Sequence, residues 1–297
     1  MLNEDIGIKS QFCVLVPIFC IIMVIFSFFN VSFLNYSTSN LQASNVATLQ
    51  MVSKQPELIS SFSTNYKDSP EERKFNIKLA LKSLDGKSIM PGEEFSFNKV
   101  VGLRTEERGY KKALVIFKGR YTEGVGGGVC QVSSTLYNAW LLGGLDVVSV
   151  TAHSLPSSYV ELSRDATVSE YIDLILRNPT DTEIFIATTY DEEKITINLF
   201  GKKRDCKYKL QSETIKVIPY EEEIIELDEV GENEFFIGKD GYISRLILSI
   251  EKGGRTLSKR EIRRDYYKPQ NSVKILRKSV ANWKNWRKTK QFLCYYC

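Results

Sequence analysis

Three residues of this 297-residue chain have the types that a thiol enzyme needs, in an order that several such enzymes share. Cys130 follows a run of glycines, His153 is the single histidine of the chain, and Asp165 comes after it. A thiol becomes nucleophilic when its pKa falls, as at the N-terminus of a helix or beside a base. An imidazole can act as that base, and a carboxylate can orient it. The pattern predicts Cys130 as nucleophile, His153 as base and Asp165 as orienting group.

The residues around Cys130 are candidates for binding the oxyanion of an acyl-transfer reaction. Glycine lets the backbone pass close to a substrate and leaves N–H groups free to donate to an oxyanion. The candidate oxyanion or substrate-binding residues are Gly127, Gly128, Gln131 and Ser134.

A purely structural interpretation of the same residues stays open. Cys130 can be a small buried residue that packs against a glycine-rich turn, since free cysteines are often fully buried. His153 can be a hydrogen-bonded residue at the end of a strand, and Asp165 can cap a turn.

The composition excludes several classes of protein. A chain with one histidine cannot build a metal site from a histidine cluster. The glycine run lacks the Lys-Ser/Thr of a phosphate-binding loop, and the glycine spacing of a dinucleotide-binding fold is absent. The sequence therefore predicts neither a metal ion nor a cofactor.

Two helices are predicted near the candidate residues. The pattern after Pro70 predicts a helix that ends at Gly86, and residues 130–142 predict a second helix that ends at Gly143-Gly144. Cys130 would open the second helix on the side away from its apolar stripe.

Strands are predicted around these helices. Residues 113–118 predict a short strand, and residues 145–153 predict a strand with His153 at its end. A β-meander ends near Gly201. These elements predict an α+β fold, in which the Cys-bearing helix packs on a mainly antiparallel sheet and a small β-rich unit follows.

The amino-terminal part has the features of a membrane anchor. Residues 12–34 contain 23 residues without a charge, which is enough for a helix to span a hydrocarbon core. A signal peptide would have a shorter apolar stretch and a small-residue cleavage site. We therefore expect residues 1–34 to be a short leader and an uncleaved transmembrane anchor. The protein would be a single-pass protein of the cell membrane with its body on the extracellular side.

The remaining divisions follow from composition and pattern. Residues 35–56 are polar and predict a linker, and 57–201 and 202–270 predict the main domain and the small β-rich unit. Residues 271–297 form a basic, aromatic tail without an acidic residue. The tail could contact an anionic membrane or teichoic acid, or instead form a solvated helix over the β-rich unit. Because the body is close to neutral, a nucleic-acid partner is not expected.

Several stretches of the chain resemble the VanW family. They are ISSFSTNY (59–66), FNIKLAL, PGEEFSFN, VGLRTEERGY, GVGGGVCQVSSTLYNAWLLGGLDVV, HS (153–154) and DATV, and they place Cys130, Gln131, His153 and Asp165 in the family's motif. The resemblance covers roughly residues 57–201, and residues 221–270 are similar to the β-rich tail that often follows VanW domains. The family usually has Tyr-x-Pro-x-Gly before DATV, whereas this chain has Tyr159-Val-Glu-Leu-Ser163.

The resemblance implies an exported, often membrane-anchored protein of the bacterial cell envelope, and it leaves two hypotheses. The first is a thiol hydrolase or transpeptidase-like enzyme that acts on peptide or amide bonds of peptidoglycan. The second is a non-catalytic wall-binding or scaffold protein, accessory to glycopeptide resistance or wall remodelling. In either case the expected partner is peptidoglycan or another wall polymer.

Overall fold

The computed structural model describes residues 56–117, 120–230 and 234–278. The helices are α1 (Glu71–Leu84), α2 (Phe97–Val101) and α3 (Val129–Leu142), with a 3-10 turn at Glu106–Arg108. The strands are β1 (Glu57–Asn65), β2 (Ser88–Ile89), β3 (Glu94–Ser96), β4 (Lys112–Phe117), β5 (Arg120–Val125), β6 (Asp146–Ser149), β7 (Ile175–Arg177), β8 (Ile184–Tyr190), β9 (Lys194–Gly201), β10 (Lys207–Ile218), β11 (Glu222–Val230), β12 (Glu234–Phe236), β13 (Gly241–Lys252), β14 (Arg255–Tyr267) and β15 (Ser272–Lys278).

The strands of the described residues form several small sheets. One sheet has the order β1-β9-β8-β2, a second has β3-β7-β6, and β4 and β5 form a separate hairpin. Two further three-stranded sheets have the orders β10-β13-β14 and β11-β15-β12. All of these pairings are antiparallel except β11 with β15, which is parallel.

The predicted fold class is wrong. The structure is 47% strand and 17% helix, and it has several small antiparallel sheets instead of one sheet that carries the cysteine helix on its face. The physical reason is the burial of α3, which has 12 buried residues among its 14. A helix that is buried on all sides must be surrounded by several elements, and α3 contacts α1, β1, β6, β9 and β10.

The hydrophobic core surrounds α3. Leu136, Ala139 and Trp140 are fully buried within the helix, and α1 adds Ile77 and Leu81 from the facing side. The sheet of β1, β9, β8 and β2 contributes further buried aliphatic side chains, which are Ile184, Ile186, Ile195, Ile197 and Leu199. Because apolar side chains enclose the helix, its polar residues must find hydrogen-bond partners inside the protein.

The predicted strand that ends at His153 is only partly present. Strand β6 ends at Ser149, and His153 lies on the loop that follows. The loop bonds to a second irregular segment instead of a strand, because the Thr167 N–H donates to the Thr151 carbonyl at 2.8 Å. His153 is therefore placed by contact with that segment and not by a longer strand.

Three predicted segments fall wholly or partly outside the described residues. The predicted leader and anchor (1–34, with the charge-free stretch at 12–34) lie entirely outside them, and so does the predicted linker (35–56) except for its last residue. Of the predicted basic tail (271–297), residues 272–278 form β15, and residues 279–297 are outside. Within the described ranges, no helix has the length and apolar character needed to cross a membrane.

Asn76 fixes the glycine turn that precedes α3. Its side-chain amide donates to the Lys111 carbonyl at 2.8 Å and to the Gly127 carbonyl at 3.0 Å, and its oxygen accepts from the Lys111 N–H at 2.8 Å. Gly127 itself permits close packing, since a Cβ there would lie 2.7 Å from the Leu114 carbonyl oxygen. One buried asparagine thus joins α1, the start of β4 and the turn.

We expect Asn76→Ala to destabilise the fold by about 3 kcal/mol, because it leaves two carbonyls and one N–H buried without partners. Urea unfolding followed by circular dichroism measures the loss. Asn198→Ala is a suitable control, since Asn198 is a half-buried strand residue whose side chain bonds to none of the described residues. Equal stability losses in the two variants would contradict the assignment.

Candidate functional site

The structure brings Cys130, His153 and Asp165 together. The imidazole Nδ1 of His153 lies 2.6 Å from the Asp165 carboxylate oxygen Oδ2, and the His153 backbone N–H donates to the same oxygen at 2.6 Å. The imidazole and the Cys130 side chain each shift the pKa of the other, so the two groups are neighbours. Because Nδ1 faces the carboxylate, Nε2 is the nitrogen left for the sulfur. The arrangement is a thiol, an imidazole and a carboxylate in series.

The polar side of α3 holds the segment that carries Asp165. We call residues 164–168 the Asp165 segment. The Cys130 sulfur accepts from its last N–H, that of Val168, at 3.5 Å, and the Ser134 hydroxyl oxygen accepts from its central N–H at 2.9 Å. Asn138 donates to its first carbonyl at 2.7 Å. Residues four apart lie on one face of a helix, so Cys130, Ser134 and Asn138 bond alternate residues of the segment and leave Asp165 directed towards His153.

Two residues of β14 complete the surroundings of Asp165. The Tyr267 hydroxyl donates to the Asp165 oxygen Oδ1 at 2.6 Å. The Arg263 guanidinium donates to the Asp165 backbone carbonyl at 2.6 Å and lies 3.5 Å from Oδ1. Asp165 is 1% exposed and Tyr267 is fully buried, so these contacts replace the water that an exposed carboxylate would have.

Ser163 occupies the position at which the family usually has glycine. Its backbone has a φ of 62°, in the left-handed region that glycine favours. The Ser163 N–H donates to the Tyr267 hydroxyl at 2.8 Å, and its own hydroxyl lies 2.7 Å from that of Ser244. Two hydrogen bonds that involve the β13 and β14 strands therefore hold a conformation that serine rarely adopts.

The electrostatics of the three groups favour an ion pair between Cys130 and His153. Burial raises the pKa of the Cys130 thiol, but the hydrogen bond and charge of His153, the Val168 N–H and the charge of Arg104 outweigh it and lower the pKa. Burial lowers the pKa of His153, but hydrogen bonds to Asp165 and Cys130 outweigh it and raise the pKa to about 10. Both shifts favour a thiolate beside an imidazolium over a neutral thiol beside a neutral imidazole.

Asp165 remains charged in this environment. Burial raises the pKa of its carboxyl group, but the hydrogen bond and charge of His153, the charge of Arg263 and the Tyr267 hydroxyl outweigh it. The pKa therefore lies below its usual range. A charged carboxylate both fixes the tautomer of His153 and stabilises its protonated form.

The side chains of Gln131 and Ser134, two of the predicted oxyanion or substrate-binding residues, are both engaged in hydrogen bonds within the protein. The Gln131 amide donates both hydrogens, to Asn65 O at 2.8 Å and to Thr64 Oγ1 at 3.1 Å, so it is not free for an oxyanion. The Ser134 hydroxyl donates to the Cys130 carbonyl at 2.7 Å and serves positioning. Among the described residues, the Cys130 N–H has no acceptor, although it is at the N-terminus of α3.

A cavity of about 1200 Å³ opens beside the thiol. Cys130 and His153 line it together with the glycine turn and the hairpin of β4 and β5. Gly127 and Gly128 are part of this wall, although both are buried. Cys130 as a whole residue is half-buried, and the cavity that it lines offers a route from solvent towards it. Within the described part of the chain, no group of histidine, cysteine, aspartate or glutamate side chains could hold a metal ion.

Comparisons with known proteins identify the relatives of this chain. A family model described as "VanW like protein" matches residues 72–200. The vancomycin B-type resistance protein VanW of Enterococcus faecalis is 34% identical over 61% of this chain and 69% of its own length. The chain belongs to the VanW family. The uncharacterised protein YoaR of Bacillus subtilis is 48% identical, but the match covers 37% of each chain.

A comparison with solved structures adds no information about the fold. The crystal structure of HP0197-G5 matches 24% of this chain and 97% of its own length with 16% identity. The TM-score is 0.16, which is too low to indicate a shared fold.

Sequence reasoning missed four residues of the site. Arg263 and Tyr267 lie about a hundred positions from Asp165 in the sequence, so no local pattern connects them. Tyr159 lines the cavity, and its place in the motif before DATV was the available signal. Nothing in the sequence pattern of VGLRTEERGY distinguishes Arg104 as a residue of the site. Burial and the charge of Cys130 raise the pKa of Tyr159, so its hydroxyl keeps its proton.

The His153 titration is directly measurable because the chain has one histidine. We expect its imidazole NMR signals, in protein prepared without a histidine tag, to titrate near pH 10 in place of about 6.5. Since the folded pKa is raised, the stabilising interaction is complete below pH 6.5 and is lost as the pH rises towards 10.

Asp165→Asn should lower the pKa of His153 by removing the carboxylate, and Asp146→Asn is the control because Asp146 pairs with Arg177 on the surface. A wild-type His153 pKa near 6.5, or a His153 pKa that Asp165→Asn leaves unchanged, would show that Asp165 does not stabilise the imidazolium.

Proposed function

We propose that this VanW-family protein is a thiol hydrolase or acyltransferase that acts on peptide or amide bonds of the bacterial cell wall. The observation that carries the proposal is the series formed by the Cys130 thiol, the His153 imidazole and the Asp165 carboxylate beside a cavity. A structural cysteine needs neither an imidazole partner nor access to a cavity, whereas a nucleophile needs both.

The proposed reaction begins with attack of the Cys130 thiolate on an amide carbonyl carbon. The sulfur–carbon bond forms as the carbonyl π electrons move to oxygen, and the Cys130 N–H donates to the resulting oxyanion. The carbon–nitrogen bond then breaks, and the leaving amine takes a proton from the His153 imidazolium. The product of this half-reaction is a thioester on Cys130 and a free amine.

The second half-reaction regenerates the thiolate. A water molecule, or an amine in a transfer reaction, attacks the thioester carbon while neutral His153 accepts its proton. The carbon–sulfur bond breaks, the acid or new amide leaves, and the thiolate is again paired with imidazolium. Asp165 keeps its charge throughout and orients the imidazole.

The cell wall is proposed as the site of action on two grounds. One relative carries the name of a vancomycin B-type resistance protein. The charge-free stretch of residues 12–34 favours a single-pass anchor in the cell membrane, with the body outside. The tail of residues 271–297 would then lie where it can contact an anionic membrane or teichoic acid.

Alkylation of Cys130 tests the activation of the thiol. We expect iodoacetamide to modify Cys130 well below pH 8, because the imidazolium lowers the thiol pKa. Peptide mapping by mass spectrometry gives its rate separately from that of Cys206, which is the matched free cysteine among the described residues. In His153→Ala, the increase in the alkylation rate of Cys130 with pH should occur at a higher pH than in the wild type. A Cys130 that reacts only as Cys206 does would refute activation.

Turnover of purified peptidoglycan tests the reaction itself. We expect the wild-type protein to release new amines from peptidoglycan, and Cys130→Ser to lose about 1000-fold or more of that rate. Cys206→Ser should retain the wild-type rate. Binding of peptidoglycan by both wild type and Cys130→Ser without any release of amines would instead favour the non-catalytic, wall-binding function.

A further inference from the structure

Two arginines flank the glycine turn that leads into Cys130. Gly126 and Gly128 let their stems approach, since a Cβ at Gly126 would lie 2.7 Å from the Arg104 Cβ and one at Gly128 would lie 3.0 Å from the Arg73 Cγ. Both arginines line the cavity beside the thiol. Both also act electrostatically on Cys130, so their charges lie near the proposed reacting atoms.

Neither guanidinium has a carboxylate partner among the described residues. Arg73 donates to the side-chain oxygen of Gln131 at 2.9 Å, and Arg104 donates to Asn98 Oδ1 at 2.8 Å and Gly102 O at 3.1 Å. These acceptors are neutral, and they orient the guanidinium groups without compensating their charge. Burial lowers the pKa of both arginines, which reflects the cost of holding these charges away from water.

The nearby acids do not supply the missing charge. Asp173 influences Arg104, but its carboxylate already accepts hydrogen bonds from Ser96 and from the Asn98 N–H. Asp68, Glu123 and Glu170 also line the cavity, but all three are exposed and none forms an ion pair with either arginine.

We propose that Arg73 and Arg104 bind a carboxylate of the substrate next to the amide bond that Cys130 attacks. The cavity would then select peptides with a free carboxylate close to that bond, such as a peptide cleaved at its carboxyl end. The planar guanidinium group matches a carboxylate with two parallel hydrogen bonds. This inference rests on the proposed thiol function.

A carboxylate fits the charge balance better than a phosphate monoester does. The Cys130 thiolate and the three exposed acids already place negative charge around the cavity. A phosphate monoester adds about 1.5 to 2 negative charges at pH 7, whereas a carboxylate adds one. Repulsion within the cavity therefore disfavours the group with the larger charge.

Two alkylating reagents of matched shape test the inference. Iodoacetate carries a carboxylate and iodoacetamide carries a neutral amide, so the ratio of their rates at Cys130 reports the preference for a carboxylate. The ratio cancels any change in the amount of thiolate. We expect this ratio to exceed that of the urea-unfolded chain by about fivefold or more.

The variants assign the preference to the two arginines. Arg73→Met and Arg104→Met should each bring the ratio towards that of the unfolded chain, and Arg73→Lys should retain part of it. Arg177→Met is the control, since Arg177 pairs with Asp146 on the surface. A wild-type ratio equal to that of the unfolded chain, or a ratio unaffected by both Met variants, would overturn the inference.

A measurement on the wild-type protein does not depend on the folding of any variant. Succinate should raise the thermal unfolding midpoint, whereas neutral succinamide should not, because a ligand that binds the folded state stabilises it. Stronger stabilisation by inorganic phosphate than by succinate would overturn the choice of a carboxylate.

The same measurements separate the two proposals. A Cys130 that reacts rapidly with iodoacetamide but shows no preference for iodoacetate refutes the carboxylate site alone. An unreactive Cys130 refutes the thiol function, and with it the catalytic meaning of any succinate binding.

Discussion

A buried carboxylate, that of Asp165, is the group on which the rest of the site depends. A charge this deep in the protein is stable only when hydrogen bonds and opposite charges replace its water. His153 supplies two donors, Tyr267 supplies a third and Arg263 adds a positive charge. To meet this requirement, the loop after β6, the Asp165 segment and β14 converge at one point. The same contacts fix the orientation of the imidazole towards Cys130.

The unusual polarity of α3 follows from the same requirement. A helix buried on all sides is expected to be apolar all round, yet α3 buries Ser133, Ser134 and Asn138. Their side chains bond the backbone of the Asp165 segment, which forms no strand and would otherwise leave its peptide groups unpaired. The side chains of α3 therefore make the hydrogen bonds that a neighbouring strand would make to the Asp165 segment. Cys130, at the N-terminal end of α3, contacts the last residue of that segment, Val168.

The site extends beyond the residues that match the family model. That match ends at residue 200, whereas Arg263 and Tyr267 belong to β14. Strand β14 thus contributes to the surroundings of a carboxylate that lies about a hundred residues earlier in the chain. The left-handed Ser163, held by Tyr267 and Ser244, shows the same dependence. A part of the chain with weak sequence resemblance is therefore integral to the geometry around Asp165.

The sequence alone predicted three side chains that the structure places together, and it predicted part of the local structure near them. The single histidine, the glycine run before Cys130 and the pattern of residues 130–142 indicated the site and helix α3, because residue type and helical periodicity are local properties. The placement of His153 on a loop, the division into small sheets and the partners of Asp165 were decided by tertiary structure. Contacts such as Tyr267 with Asp165 join positions far apart in the chain, and no periodicity records which distant donor a buried charge will find.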